Sequence, residues 1–256
     1  MSRIIAIANQ KGGVGKSTTA INLSAYLGVK GKRVLVIDAD PQGNTTSGLG
    51  VDKSEIRNTI YEMILGNAET EECIVENVTE NLSLIPSNEN LAAAERELIG
   101  IEKKDFLLRD RIEEIRDNYD YIIIDCPPSL NVLTVNALTT ADRVLVPIQC
   151  EYYALEGLSQ FIKTVNLVRE RLNPEISIEG IVFTMYDART NLSAQVVENV
   201  RENLGTDIYY AIIPRNVRLA EAPSHGKAIN EYDPRSAGAE AYEVLADSLI
   251  ERQTQN

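Results

Sequence analysis

The sequence predicts an α/β fold: a doubly wound, mostly parallel sheet with helices on both faces. Three observations carry that prediction. Short apolar runs recur without polar alternation, as strands covered on both faces do. Helix-length patterns lie between them, so β and α elements alternate along the chain. A glycine-rich stretch, Gln10-Lys11-Gly12-Gly13-Val14-Gly15-Lys16-Ser17-Thr18, stands between the first run and the first helical pattern.

Residues 4–8 form the first run, and residues 20–27 read as the first helix, with Gly31 suited to its stop. Further strands are predicted at residues 33–38, 82–86, 121–125, 144–147, 178–184 and 208–213. Helices are predicted at 105–118, 154–172, 192–204 and 237–251. Asn173-Pro174 ends the second of these, because the residue before a proline is driven out of the helical region. With 256 residues and 44% hydrophobic content, the chain can bury a sizeable core as one domain spanning 1–256. No linker, low-complexity tract or repeat divides it.

Nowhere do about eighteen apolar residues run together, so no membrane-spanning helix is expected. Met1-Ser2-Arg3 enters a strand directly, which predicts no leader peptide. Cys73, Cys126 and Cys150 have no metal-ligand spacing and suit buried thiols in a reducing cytoplasm. A net charge of −13 argues against binding DNA through the overall field. The acidity is uneven, however: residues 185–235 carry six basic against seven acidic residues, and the remainder 19 against 31.

Strand, glycine-rich loop and helix form the context of a phosphate-binding loop, whose amides and helix start face an anion. Lys16 would reach the outer phosphates and the Ser17 hydroxyl would ligate Mg²⁺. The loop departs from G-x-x-x-x-G-K-[ST] at Gln10, and Lys11 is an additional lysine. Ligands of doubly wound sheets bind at the carboxyl ends of strands. That rule singles out Asp38, at the end of the second strand, and Asp125, the candidate Mg²⁺ partner.

K-G-G-V-G-K-S-T resembles the deviant Walker A motif of the ParA/MinD ATPases. D-A-D-P-Q-G-N at 38–44 and D-C-P-P-S at 125–129 look like the switch segments of the ParA/Soj family of chromosome-partitioning ATPases. Residues 150–158, 187–191, 213–218 and 222–226 are similar to its Soj-type branch. The resemblance implies a P-loop NTPase fold and slow, Mg²⁺-dependent ATP hydrolysis. It implies that the amides of Gly12, Gly13, Val14, Gly15, Lys16, Ser17 and Thr18 hold the triphosphate, with Pro214 and Asn216 at the adenine. Lys11 would cross to the nucleotide of a second subunit, Asp40 would orient the attacking water, and Asp38 would support the metal. Arg189 and Arg218, then Arg215 and Lys227, fall where family members bind DNA. The implied cycle is an ATP-bound homodimer on non-specific DNA, released when a ParB-type centromere-binding partner stimulates hydrolysis.

Other readings are weaker. A MinD-like membrane-positioning ATPase would end in a basic amphipathic helix, whereas residues 246–256 are polar. A tyrosine kinase of the superfamily would carry a C-terminal tyrosine cluster, and the last tyrosine is Tyr242. Cys126 beside Asp125 hints at an iron–sulfur relative but has no evident cysteine companion. His225, the single histidine, sits among loop residues, and this chemistry needs no histidine. Tyr186 reads as a core or rim residue.

Overall fold

The computed structural model describes residues 2–204 and 208–255; Met1, Asn256 and residues 205–207 lie outside the described residues. The chain opens with β1 (Arg3–Ile7), α1 (Lys16–Val29), β2 (Val34–Asp38), α2 (Asn44–Gly48) and α3 (Ile60–Leu65). It continues through β3 (Val75–Thr79), β4 (Leu82–Ile85), α4 (Leu91–Glu97), α5 (Leu107–Glu113), β5 (Tyr121–Asp125) and α6 (Val132–Thr140). Then come β6 (Arg143–Gln149), α7 (Ala154–Arg171), β7 (Ser177–Tyr186), α8 (Asn191–Leu204) and β8 (Tyr209–Pro214). The short α9 (Val217–Glu221) and α10 (Ile229–Tyr232) lead to the long α11 (Ala237–Gln255).

The strands form one sheet in the order β3-β4-β2-β5-β1-β6-β7-β8, parallel throughout except for the antiparallel β3–β4 pair. Alternate residues of β1 feed two cores. Ile4 and Ala6 join the cluster that includes Leu133, Phe161 and Phe183, while Ile5 and Ile7 join that of Leu23, Tyr242 and Leu245. Both faces are therefore covered, which is why the strand sequences lack polar alternation. The β1–β2 connection passes β5 in one direction, and the β5–β6 connection passes β1 in the other. The crevice at this switch point opens at the carboxyl ends of β1 and β5.

α1 is buried along most of its length, between the sheet and α11. Its Gly28 is a packing requirement: a Cβ there would stand 2.2 Å from the Glu80 carbonyl oxygen in the β3–β4 turn.

The predicted helix at 105–118 is broken. Only Leu107–Glu113 is α-helical, flanked by 3₁₀ turns at Lys104–Phe106 and Arg116–Asn118. Leu108, Ile112 and Ile115 supply the apolar period, but the chain must turn sharply into β5, and i→i+3 bonds accomplish that. β3 escapes apolar patterning because it is an edge strand exposing Glu76 and Asn77. α6 escapes because the side chains of Thr134, Asn136, Thr139 and Thr140 are buried through hydrogen bonds to backbone carbonyls and, at Asn136, from the Leu108 amide, rather than through an apolar stripe.

Candidate functional site

The loop after β1 is shaped by side chains from neighbouring strands. Asn9 donates to the Pro147 carbonyl (2.7 Å), and its Oδ1 accepts from the Lys11 amide (3.0 Å). The Thr184 hydroxyl lies 2.8 Å from the Val14 carbonyl, tying the loop to β7. Gly13 (φ 73°) and Gly15 (φ 86°) adopt left-handed conformations that side-chain-bearing residues resist. Gly15 is the N-cap of α1 and offers no side-chain cap, and the first helical turn holds no acidic residue. The start of α1 thus keeps its free amides and partial positive charge for an external anion.

Lys16 lies 6% exposed, with Nζ donating to the Lys11 carbonyl (3.1 Å). Burial pulls its ammonium below the usual lysine range, against the opposing pull of Asp125, Cys126 and Asp40. A buried cation bound only to a carbonyl is poised to take an anionic partner.

Asp38 and Asp125 are register partners across β2 and β5, both fully buried. Asp38 Oδ2 accepts from the Thr46 amide and hydroxyl (2.7 Å each), and Oδ1 from the Asp40 amide (3.2 Å). Asp125 Oδ2 accepts from the Thr45 hydroxyl (2.8 Å), while its Oδ1 has no hydrogen-bond partner. Burial pushes Asp38 up to about 6 despite its hydrogen bonds. Burial and then the charge of Asp38 push Asp125 up to about 8, opposed by the Ser17 and Thr45 hydroxyls. Two buried carboxylates, one with an orphaned oxygen beside a serine hydroxyl, fit a hard divalent cation. Among the described residues no group of three or more His, Cys, Asp or Glu could hold a metal. The few oxygens present suit Mg²⁺, which completes its shell with phosphate and water.

Two cavities of about 450 and 330 Å³ share Gly15, Thr18 and Met185. The larger is lined by Gly12, Lys16, Ser17, Asp40 and Pro128 and is polar at its phosphate-loop wall. The smaller is walled by Pro214, Asn216, Val217 and Tyr242 and is mostly apolar. The Asn216 Oδ1 caps α9 by accepting from the Arg218 amide (2.8 Å), so its NH₂ is the group left to read a ligand. A chain of phosphates at one end and a flat apolar ring at the other matches this shape.

The remaining predicted residues lie outside the trench or at its edge. Lys11 is exposed, its Nζ paired with Glu151 Oε2 rather than aimed into its own cavity. Arg189 is held in a two-pronged pair with Asp187 (2.8 and 2.7 Å), and Arg218 pairs with Glu221 (2.9 Å) and Asp233 (3.3 Å). Arg215 lines the smaller cavity, and Lys227 follows the turn at Ala222–His225. Sequence reasoning missed Thr45, Thr46 and Thr184, which grip the carboxylates and the loop. It also missed Met185, left-handed at φ 51° between the two cavities.

A family model described as an AAA domain matches residues 2–178. The sporulation initiation inhibitor protein Soj of Bacillus subtilis is 54% identical over 97% of this chain and 98% of its own length. The chromosome partitioning protein ParA of Caulobacter vibrioides is 51% identical over 98% and 95%. A crystal structure of cobyrinic acid a,c-diamide synthase from Mycobacterium smegmatis, with bound ATP analogue and magnesium, superposes with a TM-score of 0.88 at 36% identity. It covers 99% of this chain and 96% of that one. With half its residues shared over nearly its whole length, the chain belongs to the Soj/ParA family of chromosome-partitioning ATPases.

Proposed function

We propose that residues 1–256 act as one P-loop ATPase domain, a DNA-segregation switch that hydrolyses ATP to ADP and phosphate. One observation carries the reading. A buried Lys16 whose ammonium is hydrogen-bonded to a carbonyl and an uncapped helix start face the same cavity as Asp40 and Ser17, next to an apolar ring site.

In this reading the amides of Gly12 to Thr18 and the Lys16 ammonium bind the triphosphate of ATP, Lys16 leaving the Lys11 carbonyl to do so. Ser17 and Asp125 hold Mg²⁺, with Asp38 supporting them; the cation supplies charge neutralisation at the phosphate oxygens. The ATP analogue and magnesium in the Mycobacterium smegmatis neighbour support this pairing. Asp40 orients water, its carboxylate held by the Gln42 amide (2.9 Å). Pro214 and Asn216 take the adenine. Lys11 leaves Glu151 and reaches the nucleotide of a second copy, stabilising charge that develops during phosphoryl transfer. Turnover is slow until a ParB-type centromere-binding partner engages.

The ATP-bound homodimer binds DNA without sequence preference through Arg189, Arg218, Arg215 and Lys227. The first two must exchange carboxylates for phosphates, so binding is weak per copy and salt-sensitive. No described helix is long and apolar enough to cross a membrane. The protein acts in the cytoplasm, on the nucleoid when ATP-loaded. DNA binding measured with ATP, ADP and no nucleotide tests the switch: retention with ATP alone is expected, and equal binding in all three states refutes it.

A further inference from the structure

α7 begins with a feature that the fold itself does not account for. Gly157 is the fourth residue of this 18-residue helix, and its amide closes the first helical hydrogen bond on the Tyr153 carbonyl (3.2 Å). A glycine inside a helix is less stable than alanine. Gly28, in α1, has a packing reason against the Glu80 carbonyl, and Gly13, Gly31 and Gly100, which also have open space around them, are left-handed; a Cβ on Gly157 would meet nothing within 4 Å. Its backbone angle is also not left-handed, so conformation does not demand glycine either. The missing side chain opens a hollow of about 330 Å³ lined by Gln10, Lys11, Tyr153, Glu156 and Gln160.

Beside this hollow stands the most exposed aromatic group of the described residues. Tyr152 is 78% exposed and Tyr153 68%, and their rings meet edge to face at 5.1 Å, so the two present one joint aromatic surface. The preceding residue, Glu151, is the one that holds Lys11.

We infer that the hollow over Gly157 is the seat of a second copy of this chain, filled by the Tyr152 ring of that copy. A two-fold contact needs a knob and a hollow on the same patch of each subunit, and Tyr152 and Gly157 lie five residues apart across one turn. Tyrosines seated in pockets are enriched among the residues that anchor interfaces. Docking there brings a second copy onto Lys11 and Glu151 together, so the same contact that seats Tyr152 displaces Glu151 and frees the lysine. The inference rests on the proposed ATP-bound dimer and assigns its anchoring contact.

The test is sedimentation of the full chain with Mg²⁺ and a non-hydrolysable ATP analogue, for the wild type, Gly157→Leu and Tyr152→Ala. Thermal melting and binding of a fluorescent ATP analogue by the monomer are measured in parallel. Gly157→Leu fills the hollow and improves the helix, so it should melt at or above the wild type and bind nucleotide normally. Its dimer affinity should fall at least tenfold. Tyr152→Ala should weaken the dimer comparably with unchanged melting. If the wild type dimerises and Gly157→Leu does so within twofold of it, the seat is overturned while the dimer reading stands. A wild type that stays monomeric with the analogue overturns both.

Discussion

Replacing Asp125 by asparagine separates the electrostatics of the strand-end carboxylates from their packing. In the ligand-free chain Asp125 is buried in register with Asp38, and its carboxyl is raised from the ordinary 3.8 to about 8. A carboxyl whose folded value is raised contributes stability in full below the unfolded value near 4, and loses it as pH rises through about 8. At about 1.4 kcal/mol per pH unit, a displacement of that size has a ceiling of ~6 kcal/mol. Relaxation around the coupled pair brings the expected effect to ~2–4 kcal/mol. For a chain of this length that is roughly 4–16 °C in melting temperature. The asparagine side chain does not titrate and still offers an oxygen to the Thr45 hydroxyl. Melting curves of nucleotide-free wild type and Asp125→Asn between pH 5 and pH 9 should therefore diverge, the variant gaining as pH rises. Added Mg²⁺ should stabilise the wild type more than the variant at pH 9. A melting difference that is constant across this range refutes the reasoning.

Three further outcomes follow from named contacts. Lys16→Ala removes the buried cation and should reduce nucleotide affinity at least a hundredfold, read by titration with a fluorescent ATP analogue; retained affinity would remove Lys16 from the phosphate site. Asp40→Ala should leave ATP-dependent dimerisation in place and lower steady-state phosphate release tenfold or more, and normal turnover would show that another group positions the water. Gly28→Ala forces a methyl against the Glu80 carbonyl oxygen, 2.2 Å from the ideal Cβ. Overpacking of this kind costs about 1–3 kcal/mol, so melting should fall by roughly 2–12 °C. An unchanged midpoint would mean that the β3–β4 turn yields freely.

What the sequence made legible is what local chemistry writes down locally. Ile122, Ile123 and Ile124 read as a strand buried on both faces because no polar residue interrupts them, and the structure covers both faces. The phosphate loop was legible because left-handed turns at Gly13 and Gly15 require glycine in fixed places relative to Lys16. The pairings that tune the site were not, because they join distant positions. Thr184 reaches Val14 across 170 residues, and Glu151 reaches Lys11 across 140. Asp38 faces Asp125 only because β5 inserts beside β2, a consequence of sheet order that neither strand carries in its own residues.

This difference also bears on how the extra lysine acts. From sequence, Lys11 is an additional lysine in a phosphate loop, and the family resemblance implies that it crosses to the nucleotide of a second subunit. In the fold it is turned away from its own cavity, held on the rim by Glu151, next to exposed tyrosines and a hollow that a glycine keeps open. An exposed ion pair of this kind is worth at most about 1 kcal/mol, so Glu151 is a weak holder that a triphosphate can outcompete. Lys11→Ala should accordingly leave nucleotide affinity of the monomer within a few-fold of wild type and abolish the dimer. Glu151→Gln should leave the dimer intact or tighten it. If Glu151→Gln abolished the dimer instead, the pair would be a positive part of the interface and the release argument would fail.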